Sequence, residues 1–156
     1  MVEDLLAVDD MAQQDLGERT FLFACDVVRF CRKLADEPGV VRHIAWQLSS
    51  SGTSVAANYE EAKGSFSRRE YAAKNAIVLK EAREARQWLR IILACGLSRD
   101  EAEARRLYAE SDQLVAIFIT SVRKLRHPQV LGLWLCVLGV LRVLWSSGFV
   151  VLTFNF

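Results

Sequence analysis

The chain has 156 residues, of which 52% are hydrophobic and 25% charged, with a formal net charge of +1. That length suits one domain with a buried core, and only two prolines and eight glycines speak against a disordered or collagen-like chain. A global charge excess of the kind that marks nucleic-acid binding is excluded, but the local balance is uneven. Residues 1–18 hold six acids (Glu3, Asp4, Asp9, Asp10, Asp15, Glu18) and no Lys or Arg, whereas residues 67–127 hold 13 basic side chains against 8 acidic ones.

The first 17 residues read as an acidic N-terminal tail, without the apolar stretch a secretory signal needs. Helical periodicity starts at Glu18 and runs to Asp36. Phe21, Cys25, Val28 and Cys31 or Arg32 make one stripe; Phe23, Val27, Phe30 and Leu34 make a second beside it. Two stripes give an apolar arc wide enough for neighbours on two sides. Pro38 suits the first turn of a second helix, since its missing N–H is not needed there.

The second helix is expected from Pro38 to Lys63. Val41, Ile44, Leu48, Val55 and Tyr59 keep the helical rhythm straight through the run SSSGTSVAA, with Ser51 or Gly52 taking the intervening core turn. Gly in a helix interior costs about 1 kcal/mol relative to Ala. Packing must offset that cost, and small side chains allow a neighbouring helix to come close. A Walker loop does not fit, because GxxxxGK[ST] after a strand is absent and Lys63 precedes Gly64.

Gly64 ends that helix, and Ser67 to Glu70 reads as a capping box opening a third. It is expected to reach Cys95, with Tyr71, Val78, Ala82, Ala85, Leu89 and Ile92 inward. A parallel stripe of Lys74, Ile77, Glu81, Glu84, Trp88, Ile91 and Cys95 mixes charge with apolar bulk. Gly96 stops it. Ser98 to Glu101 reads as a second capping box, for a fourth helix ending at His127-Pro128. Leu107, Leu114, Ile117 or Phe118, Val122 and Leu125 are its inward positions. Short connections between four helices predict an all-α, antiparallel up-and-down bundle over residues 18–127.

Residues 128–156 form an apolar C-terminal extension whose only charge is Arg142. The uncharged run Val130–Leu141 is twelve residues, short of the roughly 20 that span a membrane. Counting through Arg142 adds about 2.5–3.5 kcal/mol of insertion cost. Three readings stand: a membrane anchor over 129–154, with Arg123, Lys124 and Arg126 holding the bundle in the cytoplasm; a segment buried in the bundle or oligomer; or an adventitious extension.

Cys25, Cys31, Cys95 and Cys136 form no CxxC pair, and with only His43 and His127 the spacing of a zinc site is missing. Free thiols in a reducing cytoplasm are the expectation, with no metal or cofactor. Paired carboxylates with a lysine can do acid–base work, which makes Asn58, Glu61, Lys74, Glu81 and Glu84 a candidate site. A di-metal bundle wants Glu-x-x-His on two helices, and neither histidine has a Glu three residues before it. The five are expected instead to form an inter-helix polar network that fixes register. Lys80, Arg83, Arg86 and Arg90 lie near one ridge of the third helix and are the candidate nucleic-acid contacts. Against them stand Glu81 and Glu84, with Lys80–Glu84 at i, i+4 spacing, and no interleaved aromatic.

The order Gln47-Leu48, Ser51-Gly52-Thr53-Ser54-Val55, Ala57-Asn58-Tyr59, Glu61-Ala62, Ser67-Arg68, Lys74, Lys80-Glu81-Ala82, Glu84 and Trp88-Leu89 resembles the pattern of the 23S rRNA intervening-sequence protein family. The likeness covers roughly residues 18–126. It implies a small bundle that assembles as a ring-like pentamer of identical chains, with no enzymatic activity. A related retroelement accessory protein binds a reverse transcriptase and nucleic acid, so RNA or a nucleoprotein is the partner implied. The reading is a non-enzymatic oligomeric scaffold; the alternative is a membrane-tethered interaction protein held by the C-terminal segment.

Overall fold

A computed structural model describes the backbone of residues 2–36 and 39–126, and the side chains of 16–36 and 39–126. Among these residues there are four helices and no strand: α1 (Val2–Leu34), α2 (Val40–Lys63), α3 (Arg68–Ala94) and α4 (Glu101–Arg126). Each packs against the next in chain order, and α1 closes the square loosely against α4. The up-and-down bundle expected from periodicity is the observed architecture. Pro38 and the whole apolar extension from residue 128 lie outside the described residues, so the three readings of that extension do too.

α1 begins at Val2 rather than at Glu18. The reason is local: residues 2–16 contain no Pro or Gly and are rich in good helix formers. The other helix ends follow capping chemistry. Ser67 Oγ accepts the Glu70 N–H at 3.1 Å, while the Glu70 carboxylate accepts from the Phe66 N–H at 3.0 Å rather than from that of Ser67. At α4 the cap sits two residues later than expected. Asp100 Oδ1 accepts the Glu103 N–H at 3.2 Å, and Ser98 only supports it by accepting the Asp100 N–H. A carboxylate serves the helix amino end better than a hydroxyl, because it also meets the dipole. α3 ends in a left-handed Gly96, φ 61°, with Leu97 N–H bonded to Ile92 O at 3.0 Å and Gly96 N–H to Leu93 O. That pair of bonds satisfies carbonyls the helix would otherwise leave open.

The core runs along one stripe of every helix. Phe23, Val27, Phe30 and Leu34 of α1 are buried; so are Leu48, Val55 and Tyr59 of α2, Val78, Ala82, Ala85, Leu89 and Ile92 of α3, and Leu107, Leu114, Phe118 and Val122 of α4. Phe118, not Ile117, is the inward residue, and its ring meets Tyr59 edge-on at 5.5 Å. The other stripe of α1 is divided: Cys31 is buried and Cys25 half-buried, while Phe21 and Val28 are exposed among the described residues. Phe21 is 56% exposed and Val28 37%. α1 does meet neighbours on two sides, α2 and α4, but the α4 side is closed by the ion pairs of Arg19 and Arg106 and not by Phe21 and Val28.

Ser51 and Gly52 are both buried at the α1–α2 contact. A Cβ placed on Gly52 would come within 2.7 Å of Val27 Cγ1 and 3.1 Å of Val27 Cβ. Val27 is β-branched, stiff and fully buried, so it has nowhere to swing. The small-residue run is a contact face, as periodicity implied. The α1–α4 seam is polar by contrast. Arg19 holds Glu110 in a fork, Nε–Oε1 2.6 Å and Nη2–Oε2 3.1 Å, and also reaches Gln113 Oε1 at 2.6 Å. Arg106 bridges Asp26 across the seam at 2.7 Å and Glu103 on its own helix.

Two outcomes test this account. Gly52→Ala should destabilise the fold by about 1–2 kcal/mol, overpacking outweighing the gain in helix propensity. Adding Val27→Ala should recover part of the loss, and chemical denaturation reads both. Burial pushes the Asp26 carboxyl up, but hydrogen bonds from Arg106 and Arg29 outweigh it and hold the carboxyl below its ordinary value. Its contribution is therefore present above the unfolded-state pKa of about 3.9 and is lost as pH falls through the lower folded value. Asp26→Asn should cost about 0.5–1 kcal/mol at neutral pH, and the gap to wild type should close below about pH 4.

Candidate nucleic-acid interface

α3 carries the basic ridge because its inner stripe is filled by small and branched residues, leaving the opposite face to charge. Lys80, Arg83 and Arg90 are exposed, and Arg86 is half-buried. Successive helical residues turn by 100°, which puts Arg83, Arg86 and Arg90 on one flank and Lys80 at its edge. The structure brings all four to the same side of α3 but not into the same state. Arg86 reaches across to α4 and holds Asp112, Nη1–Oδ1 2.6 Å. Among the described residues, Arg83 and Arg90 have no hydrogen-bond or ion-pair partner. Lys80 pairs with its neighbour Glu81 at 3.5 Å, not with Glu84 as the i, i+4 spacing suggests. Glu84 instead accepts from the Trp88 indole N–H at 3.5 Å.

Sequence reasoning missed Arg69, exposed on the same face. The signal was its eleven-residue separation from Lys80, three helical turns. Arg68, next to it, is turned to the seam, where Nη2 donates to Lys124 O at 2.9 Å and Nε to Leu125 O at 3.4 Å.

The polar set of Asn58, Glu61, Lys74, Glu81 and Glu84 lies along the α2–α3 edge, but among the described residues no bond joins the side chain of one to the side chain of another. Asn58 Nδ2 donates to Ser54 O of its own helix at 2.8 Å. Lys74 Nζ crosses to the Glu61 backbone carbonyl at 3.2 Å and approaches Glu70 Oε1 at 3.6 Å. The expected side-chain network is thus a single lysine-to-backbone bridge with separate local bonds around it. For Asn58 a backbone carbonyl one turn back competes with any partner across the seam, whereas Lys74 finds its carbonyl on the neighbouring helix. Of the buried polar groups that periodicity did not flag, Asn75 is the largest: it is fully buried, with Nδ2 on Tyr71 O at 2.8 Å and Oδ1 without a protein partner among the described residues. An Asn between the inward positions Tyr71 and Val78 was the available clue.

The chemistry on offer is modest. Burial pushes the Cys31 thiol up to about 12, which leaves it protonated and unreactive at neutral pH. Among the described residues no three His, Cys, Asp or Glu side chains gather as a metal site. A second surface stands out more. Along the outer edge of α1 and α2, a shallow pocket is lined by Val28, Cys31, Ala35, Ala45, Trp46 and Ser49. Another, further along, is lined by Phe21, Ala56 and Ala57 with Glu60 and Lys63 at its rim. Trp46 is 70% exposed there.

Fold and surface together define a small helical bundle with one apolar outer edge and one basic edge. The family model of the 23S rRNA-intervening sequence protein matches residues 13–120, and the chain belongs to that family. It is similar to a crystal structure of a protein of unknown function from the S23 ribosomal protein family of Bacteroides thetaiotaomicron. The two are 27% identical with a TM-score of 0.61, over 68% of this chain and 96% of that one. No curated protein matches the chain.

Replacing Arg86 should separate structural from surface roles. Arg86→Ala is expected to cost about 0.5 kcal/mol through the lost Asp112 pair, whereas Arg83→Ala should leave the melting midpoint unchanged.

Proposed function

We propose that this protein is a non-enzymatic scaffold that assembles with copies of itself into a ring-like homo-oligomer, as the resemblance implies a pentamer, and presents its α3 edge to the phosphate backbone of RNA. The observation that carries the reading is the exposed apolar edge of α1 and α2. Phe21, Val28 and Trp46 flank a strip of small side chains that another helix can approach closely. Large apolar residues held together in water favour a protein partner, and the most available one is another copy. Within a ring, each α3 brings Arg69, Lys80, Arg83 and Arg90, and repetition turns a weak basic edge into a strong field. Free Cys25, Cys31 and Cys95 fit a reducing, cytoplasmic setting.

Light scattering of the full chain should show an oligomer, and Trp46→Glu should dissociate it while the helical signal is retained. A wild-type monomer at micromolar concentration would sink the assembly. For RNA, Arg83→Glu with Arg90→Glu should weaken binding at least tenfold and flatten its salt dependence by about 0.7 per lost phosphate contact. Undiminished binding by a variant that still assembles would remove α3 from the interface.

A further inference from the structure

The turn between α2 and α3 holds an aromatic ring out in water. Phe66 is 98% exposed. It stands one residue before the Ser67 cap, where an apolar side chain often folds over the helix start and packs on the fourth helical residue. That residue is Tyr71, and a ring so exposed does not pack on it. The backbone beneath the ring is pinned all the same: the Phe66 N–H donates to Glu70 Oε2 at 3.0 Å and the Ser65 N–H to Ala62 O at 3.0 Å. Any residue but proline could supply the Phe66 N–H, so capping does not account for the aromatic side chain.

Free positive charge surrounds it. Residues 62–69 and 113–126 contain no acid. Arg68 is bonded to the Lys124 and Leu125 carbonyls, so the end of α4 lies level with the start of α3. Arg123 and Arg126 follow Asp112 by eleven and fourteen residues, about three and four helical turns. They therefore share the flank of α4 from which Asp112 meets Arg86 of α3. Among the described residues, the side chains of Arg69, Arg123 and Arg126 are exposed and have no hydrogen-bond or ion-pair partner. Arg69 lies in the first turn of α3, where a cation opposes the helix dipole, so helix stability does not explain it. The acids of α1 stand apart from this corner: among the described residues α1 packs against α2 and α4 but not α3.

We propose that this corner is a stacking site for an unpaired base of single-stranded RNA, with Phe66 on the base face and Arg69, Arg123 and Arg126 on the neighbouring phosphates. The inference rests on the RNA reading of α3 and sharpens it. The α3 ridge has no interleaved aromatic and meets phosphate alone, whereas Phe66 supplies a platform that selects single strands, because duplex bases are already stacked on one another. All three free cations are arginines, whose planar forks suit phosphate. A membrane fits the corner less well. Gly64, Ser65 and Ser67 flank Phe66, and one ring among them gives no apolar face of the kind that enters a lipid interface.

Fluorescence anisotropy of the full chain with labelled oligouridylate, and with a duplex RNA of equal length, tests it. Phe66→Ala should weaken oligouridylate binding about tenfold, the effect of one lost stacked base, and leave duplex affinity and the melting midpoint unchanged. Phe66→Trp should bind at least as tightly as the wild type, and Phe66→Leu as weakly as Phe66→Ala. Arg123→Glu with Arg126→Glu should weaken both RNAs and lower the single-strand salt slope by about 0.7 per lost contact. If Phe66→Ala binds oligouridylate like the wild type while Arg83→Glu with Arg90→Glu loses it, the stacking site is overturned and the α3 reading stands. A wild-type chain that binds neither RNA overturns both. Stacking also fails if Phe66→Leu matches the wild type, if Phe66→Ala dissociates the oligomer, or if it abolishes binding to phosphatidylserine vesicles and leaves RNA binding intact.

Discussion

The contact of Val27 with Gly52 is the constraint from which the rest of the bundle follows. With no Cβ at position 52 the α1 backbone can approach α2 until a valine methyl fills the space. That approach fixes which face of α1 turns inward. Phe23, Val27, Phe30 and Leu34 enter the core together, and residues a third of a turn away are carried outside. The run of Ser, Gly and Thr would weaken an isolated helix. Here its poor propensity is offset by close packing, with the small hydroxyls bonded back to their own helix: Ser51 Oγ donates to Gln47 O at 2.9 Å and Thr53 Oγ1 to Ser49 O at 2.8 Å.

The opposite side of α1 is built differently. Its seam with α4 is looser and relies on Arg19, Asp26 and Arg106 rather than on interlocking apolar side chains. Such partly exposed pairs contribute little each, but they choose partners, and like charges across the seam would be costly. α1 is therefore tied tightly to α2 by shape and selectively to α4 by charge. The face between these two contacts has no partner within the described residues, and it holds the apolar surface on which the proposed assembly relies. Charge on α3 divides similarly: Arg68 and Arg86 are used to bind α4, while Arg83 and Arg90 are left to the solvent.

Much of this was legible in the sequence. The core stripes of α2, α3 and α4 follow from apolar spacing, because a helix buried on one side must repeat every three or four residues. Helix stops at Lys63 and near Cys95 follow from Gly64 and Gly96. The start of α1 was less legible, since an acidic stretch without strong apolar rhythm looks like a tail although nothing in it breaks a helix. The candidate site was read only in part. Spacing located the basic face of α3, but it could not tell that Arg86 spends its charge on Asp112, a residue 26 positions away. Nor could it tell that Asn58 would bond to Ser54 rather than across to α3, because several acceptors compete within one hydrogen-bond length.

What the sequence determined by itself was the set of helices, their inward faces and the family to which they conform. These are properties of period and composition, carried by residues that are near one another along the chain. Tertiary structure alone decided which charged side chains close the seams and which remain free, and that Phe21 and Val28 of α1 are left exposed while Cys31 beside them is buried. Those outcomes depend on distances between helices, which are set by the fit of Val27 to Gly52 and of Phe118 to Tyr59, and no spacing along a single helix contains them.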